Sequence, residues 1–529
     1  MKSIRRLAVT ATVAVLVLGY TPVRSADESP LQVVQTYLDY VASGNYESAI
    51  ELWSPASAAR ANRFGIEFPE SPIRADAASP LVRHANELSG YNVQPVQSLQ
   101  TVGLDATFVK MLFSATKEKT SLQQWYFTRH EAEWYWLCYP QDAIAKDWPV
   151  QESRYFRLHV HPSVADFVSA PAMAQFDHFV EAVADTLGLT RADIALIADK
   201  KIEYFYCNDD STVLSITGQF TKGVLDQSSN DIISSSFPHH HEVVHLLTNI
   251  KLKSLPLYTL PVVREGLAVR FGGRWGKGPA ALLDLGAFLI RDTLVSIDSS
   301  LAVPNFENSS EMDLLYPVSG VVVSYLWDKL GKQKFWSLYS SMSGPQDVIS
   351  RLSTAEVGAR LATALSRKSW DEVKTGLSAY MAQNVAGWTT SSAGSSPKGK
   401  LIWNNPTDSV VIDGDWICFS VKADSGVLVK ESFLLFRDST FAGHKSLLFD
   451  EHFMGAVPFE GYRYGVRIDQ NEAGVYDYAG NNLISKFILG INGVDNYYNP
   501  KTNRVTIKFK KSLFGPITPA AGDMMAVPY

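Results

Sequence analysis

Apolar residues early in the chain repeat with helical spacing and then switch to the alternation of strands. Between Pro30 and Trp53, the positions Leu31, Val34, Tyr37, Leu38 and Val41, then Tyr46, Ile50 and Trp53, recur every three or four residues, interrupted at Ser43-Gly44-Asn45. Residues so spaced share one helix face, so two helices are predicted. Four short segments rich in Val, Phe, Tyr and Trp follow, from Tyr91 to Gln100, Ala106 to Ser114, Leu122 to Arg129 and Trp134 to Cys138. They predict a curved antiparallel sheet.

The pattern then becomes mixed. Strands are expected from Tyr155 to Val160 and from Ile202 to Cys207, with a helix from about Ala170 to Leu187 between them. A short strand within Asn230 to Ser236 stops at Phe237-Pro238, where the proline helps to start a helix. Helices continue to about Ala386, one of them beginning near Pro261. Residues 387–399 are a polar Ser/Gly linker. From 400 to 529, β-rich segments alternate with turn residues, at Val410 to Ile412, Trp416 to Val421, Ser432 to Arg437, Tyr464 to Ile468, Phe487 to Ile491 and Arg504 to Phe509. An all-β sandwich is expected there. The chain is thus predicted to be α+β and multidomain, divided as 26–148, 149–386 and 400–529.

Composition refines this picture in three ways. The 529 residues are 46% hydrophobic and 19% charged, an ordinary balance for a folded soluble protein. Met1-Lys2-Ser3-Ile4-Arg5-Arg6, an apolar run from Leu7 to Tyr20, and Val23-Arg24-Ser25 have the form of a signal peptide covering residues 1–25, cleaved near Ser25. That run is shorter than the roughly 20 residues of a comfortable span, so a periplasmic or secreted protein without a stable membrane span is expected, an uncleaved anchor being the alternative. Cleavage removes four basic residues and no acid, which moves the net charge from −6 to −10. Such an acidic chain argues against nucleic-acid partners. The three cysteines, Cys138, Cys207 and Cys418, each lie among apolar or aromatic strand residues in a different predicted domain; buried thiols are the simplest reading.

The chemistry concentrates at His241-Glu242-Val243-Val244-His245. On a helix, residues i and i+4 stack, so both imidazoles can converge on one metal ion, while Glu242 projects beside it. A carboxylate there can take a proton from a zinc-activated water. Catalytic zinc commonly has three protein ligands, so one remains to be found. A metzincin would place Gly at 248 and His at 251, where this chain has Thr248 and Lys251. The next acidic residue is Glu265, in a predicted helix starting near Pro261. The nineteen intervening residues suffice to end one helix, turn, and bring a second alongside.

With HEVVH and the later Glu265-Gly266-Leu267-Ala268, residues of about 150–385 resemble the gluzincins, the zinc peptidases that include thermolysin and the aminopeptidases. The resemblance implies one zinc per chain on His241, His245 and Glu265, Glu242 as general base, a peptide or protein substrate, and a domain whose second half is mainly helical. It also implies that the strand before the motif holds an extended substrate, an ordinary sheet strand being the alternative. In many gluzincins a tyrosine before a following helix steadies the oxyanion. Tyr316, ahead of Pro317-Val318-Ser319-Gly320, is the candidate, and an aromatic merely packed on that helix is the alternative. The chain departs from the family in having Val269 and Arg264 where the thermolysin branch has Asp and Asn. It also lacks the Gly-x-Met-Glu-Asn aminopeptidase signature, so typical aminopeptidase activity is not implied.

Two further likenesses concern the flanking domains. Helices followed by a four-stranded meander, with Tyr37-Leu38-Asp39-Tyr40-Val41-Ala42-Ser43-Gly44-Asn45-Tyr46, resemble the NTF2-like cone, here 26–148. Within the C-terminal domain, Asp469 to Asp477 is loosely similar to a calcium loop but lacks its terminal Glu; a polar turn between strands is the alternative. The competing functional class is a non-catalytic exported binding or assembly protein on a degenerate metallopeptidase scaffold. Intact Glu242 speaks against it, because a retired enzyme has no chemical need for the base.

Overall fold

The four aromatic-rich segments near the N-terminus form one antiparallel sheet in the order β1 (Asn92–Gln100), β2 (Phe108–Lys117), β3 (Thr120–Glu131) and β4 (Trp134–Cys138). The computed structural model describes residues 28–100, 108–254, 258–274, 278–291, 295–308 and 312–385, and after them chiefly the strands between Ser395 and Pro528. The predicted signal peptide and most of the predicted linker lie outside the described residues. No helix among the described residues is long and apolar enough to cross a membrane.

The first helix, Pro30–Ser43, starts where sequence chemistry dictates. Ser29 and Gln32 form a reciprocal capping box, Pro30 occupies the first turn, and Gly44 ends the helix at φ 75°. Its buried face is Val33, Val34, Tyr37, Leu38 and Val41. Tyr37 meets Tyr126 of β3 at 5.6 Å between ring centroids. These elements belong to one compact unit, composed of the chain up to Pro55 together with His84–Tyr139.

The second unit takes Ala56–Arg83 and everything from Pro140 onward. Its five-stranded sheet has the order β5 (Val150–Glu152), β6 (Phe156–Val160), β7 (Ile202–Tyr206), β9 (Ile232–Ser234) and β8 (Gly223–Leu225). The three central strands are parallel, and both edge strands are antiparallel to their neighbours. Parallel β6 and β7 need a crossover, which the helix Ala170–Leu187 supplies between a Ser169 cap and a left-handed Gly188. Four of the five residues of β7 are buried, as a strand covered on both faces requires. The strand before the motif is corrected in one respect: β9 is interior, and the edge belongs to β8. Strand β8 left no signal in the sequence because it opens on Gly223, a poor strand former, and its apolar run is only Val224-Leu225.

The β8–β9 turn is held from below by charge. Asp231 is fully buried, and its carboxylate accepts from Arg63 at 2.8 Å, from Arg60 at 3.2 Å and from the Gln141 amide at 2.7 Å. Arg74 donates to the carbonyls of Gln227 and Ser228. Both guanidiniums on Asp231, and Arg74, come from the Ala56–Arg83 segment, which makes that segment part of this unit.

The helical half consists mainly of His240–Leu252, Pro261–Gly272, Pro279–Arg291 and Met312–Ser341, the last broken at Gly331 with φ 70°. The glycine of Glu265-Gly266-Leu267-Ala268 has a steric reason: a Cβ there would lie 2.4 Å from the Ser319 carbonyl oxygen, so the two helices can approach only through glycine. At Gly272 a Cβ would reach 2.8 Å from the His240 carbonyl oxygen and 2.9 Å from the His241 Cα.

From Ser395 on, the strands form two antiparallel sheets, of six and five strands. Two expectations shift here. Ser395–Ser396, within the predicted linker, pairs with Gly399–Lys400, and the strand expected at Phe487 to Ile491 instead spans Asn482–Ile488. Glu472–Asp477 of the calcium-loop segment is a strand paired with Tyr464–Ile468; Asp469, Gln470 and Asn471 lie outside the described residues. All three cysteines are buried thiols outside any disulfide. Burial pushes the Cys207 thiol up to about 12, which keeps it protonated and unreactive.

Candidate metal centre

The motif helix begins at His240, directly after β9 and the Phe237-Pro238 segment, and its first turn meets the edge strand through Glu242 and Leu225. His241 and His245 lie one turn apart on that helix, and Glu265 reaches them from the first turns of Pro261–Gly272. Glu265 Oε2 is 3.1 Å from His241 Nε2 and 3.2 Å from His245 Nε2. Tetrahedral bonds of about 2.0–2.1 Å place neighbouring ligand atoms roughly 3.3 Å apart, so these spacings fit a single ion. Among the described residues these three form the group that could hold a metal, with all ligand atoms within 4.8 Å of one another.

Secondary contacts fix how two of the three candidate ligands, His241 and Glu265, are presented. His241 Nδ1 lies 2.8 Å from the Gly273 carbonyl oxygen, which can only accept. That puts the proton on Nδ1 and leaves the Nε2 lone pair facing the site. Burial lowers the His241 pKa further, against the pull of Glu265, favouring the neutral, ligating form. Burial alone would raise the Glu265 carboxyl, but His245 and Arg264 hold it well below the ordinary range. Arg264 Nε donates to Glu265 Oε1 at 2.8 Å.

Glu242 is buried beside this group, with its Oε2 accepting from the backbone N–H of Leu225 at 2.8 Å. The edge strand thereby orients the carboxylate. Burial raises its pKa and the three neighbouring imidazoles lower it, with a net depression. His239 sits 4.0 Å away through Nε2, while its Nδ1 lies 2.9 Å from Ser234 Oγ. His240 packs on Phe179 at 4.2 Å between ring centroids, and burial takes it down to about 4. Neither is positioned with the three ligands.

The structure also brings Tyr316 to the site. It is 8% exposed, and its ring centroid is 6.0 Å from that of His241. Sequence reasoning missed the residue covering it: the Arg274 guanidinium lies 3.5 Å from the Tyr316 ring centroid, and its Nη1 is 3.3 Å from His241 Nε2. Arg274 follows the helix-ending Gly273, and no spacing rule links such a position to the motif. The Leu225 amide was missed as well, because a backbone donor has no sequence signature.

Comparison with known proteins finds no matching family model, no matching curated protein and no matching solved structure.

Proposed function

We propose that this chain is an exported zinc-dependent peptidase, built as a gluzincin-like domain between an NTF2-like cone and a β-sandwich. The observation that carries this reading is the meeting of His241, His245 and Glu265 at ligand spacing with Glu242 held beside them. Two imidazoles and one carboxylate suit zinc, which when bound would polarise a carbonyl and acidify water. Glu242 takes the proton of the attacking water and returns it to the leaving amine nitrogen. The Leu225 N–H keeps that carboxylate aimed. Strand β8 is the sheet edge beside the group; with its Leu225 N–H taken by Glu242, an extended peptide would add there by donating to the outward Leu225 carbonyl. Tyr316 is the candidate hydrogen-bond donor to the developing oxyanion.

The test is metal content and turnover together. The full chain, prepared without chelators, should carry about one zinc and cleave a peptide library. A chelator should abolish both, and His245→Ala should lose the metal. Metal-free chain under these conditions would sink the reading. Tyr316→Phe should lower kcat with little change in KM, and an unaltered kcat would remove Tyr316 from the reaction.

One observation favours the alternative of a non-catalytic exported binding protein on the same scaffold. Arg274 places a cation against the metal-facing nitrogen of His241, where it opposes a metal ion. Zinc stoichiometry separates the two readings, because the alternative needs none.

A further inference from the structure

The carboxylate of the candidate ligand cluster already carries a cation. Arg264 is the immediate neighbour of Glu265 in sequence, and its Nε hydrogen bond goes to the same carboxylate that faces the two imidazoles. A divalent ion would draw on that carboxylate as well, so one anion would serve two cations. The Arg264 side chain keeps 36% of its surface exposed, and among the described residues nothing accepts from its two terminal nitrogens. Those nitrogens form the end-on fork that suits a carboxylate.

Arg83 adds a second guanidinium. It donates to three neutral oxygens, those of the Ala77 carbonyl at 3.2 Å, the Gln346 amide at 3.2 Å and the Gln227 amide at 3.3 Å. Gln227 lies two residues beyond Leu225, the end of the edge strand whose N–H holds Glu242. Arg83 therefore stands where β8 runs out. It is close enough to Arg264 for their like charges to act on each other, while Glu70 and Asp76 act on Arg83 in the opposite sense. Arg274 contributes a third guanidinium, at His241.

We infer that Arg264 and Arg83 form a carboxylate-binding subsite beside the metal group, so that the favoured substrate is a peptide with an acidic group next to the scissile bond. This rests on the peptidase reading and adds the substrate class to it. A guanidinium whose ion-pair partner would be shared with a metal gains from an incoming carboxylate, which would add to what Glu70 and Asp76 already do for Arg83. The carboxylate has two sources, an Asp or Glu side chain or the free C-terminus of the peptide itself.

The experiment uses the full chain carrying Glu242→Gln, with and without zinc, and fluorescence anisotropy of labelled peptides that differ only in Glu against Gln or in free acid against amide at the C-terminus. At least one acidic peptide should bind tenfold or more tightly than its neutral twin, and the ratio should fall as salt is raised. If the Glu/Gln pair discriminates, the subsite reads a side chain; if the acid/amide pair does, it reads a terminus. Arg83→Gln, which spares every metal ligand, should bring the ratio below about twofold at unchanged zinc content, and Arg264→Lys should reduce it partway because a lysine lacks the fork. Equal binding of both pairs in the chain with all its arginines overturns the inference, and that comparison needs no arginine variant to fold. Failure of the peptidase reading shows separately, as a zinc-loaded wild-type chain that cleaves neither acidic nor neutral peptides.

Discussion

Glu242→Gln should leave zinc content unchanged and cut peptide hydrolysis by about 10² to 10⁴-fold, the range of a lost general acid–base. The amide oxygen of glutamine can still accept from the Leu225 N–H, so the side chain keeps its place. What disappears is the ability to take up and release a proton. Because His241, His245 and Glu265 are untouched, metal analysis of the variant controls for collapse of the site. Turnover retained at the wild-type level would assign the base to another residue.

The second large effect is on stability. Asp231→Ala should destabilise the fold by about 3–5 kcal/mol, because it leaves the buried Arg63 without its counter-charge and Arg60 with Asp142 alone. Arg63 is 6% and Arg60 20% exposed at the side chain, while Asp231 has no exposure at all. The damage should spread to the edge strand, since Ile232, next in sequence, pairs with Leu225. The denaturant midpoint measures the loss, and a shift worth less than about 1 kcal/mol would show that the cluster contributes little. Its pH dependence has a definite sign. Burial pushes the Asp231 carboxyl up, but Arg60, Arg63 and Gln141 together hold it below the ordinary range. Its contribution is therefore present above the unfolded value of about 3.9 and is lost as the pH falls through the lower folded value. Asp231→Asn should flatten that acid limb of the stability curve.

What the sequence disclosed follows from where the physics is local. The helix Ala170–Leu187 and the strand Trp134–Cys138 were legible to the residue, because periodicity and caps act within a few positions. The His241, His245 and Glu265 cluster was legible because helical geometry fixes the i, i+4 pair and a short connection limits the third ligand. Strand β8 was not, with a glycine and only two apolar residues, and its presence moved the sheet edge away from β9. The docking of Ala56–Arg83 was equally silent, since it depends on Arg60, Arg63 and Arg74 finding Asp231 and two carbonyls roughly 150 to 170 positions away. Arg264 was visible only as a departure from a family pattern; its hydrogen bond to Glu265 turned that departure into a feature of the site.

That hydrogen bond also bears on which ion the cluster would select. With Arg264 on Oε1, Glu265 turns a single oxygen, Oε2, toward the two imidazoles, which disfavours chelation through both. The protein then supplies two nitrogens and one oxygen, a low coordination number met by few hard donors. Calcium, which seeks six to eight oxygens, and magnesium, which demands an octahedron, would find too little here, so discrimination among cations would be set by an arginine that touches none of them.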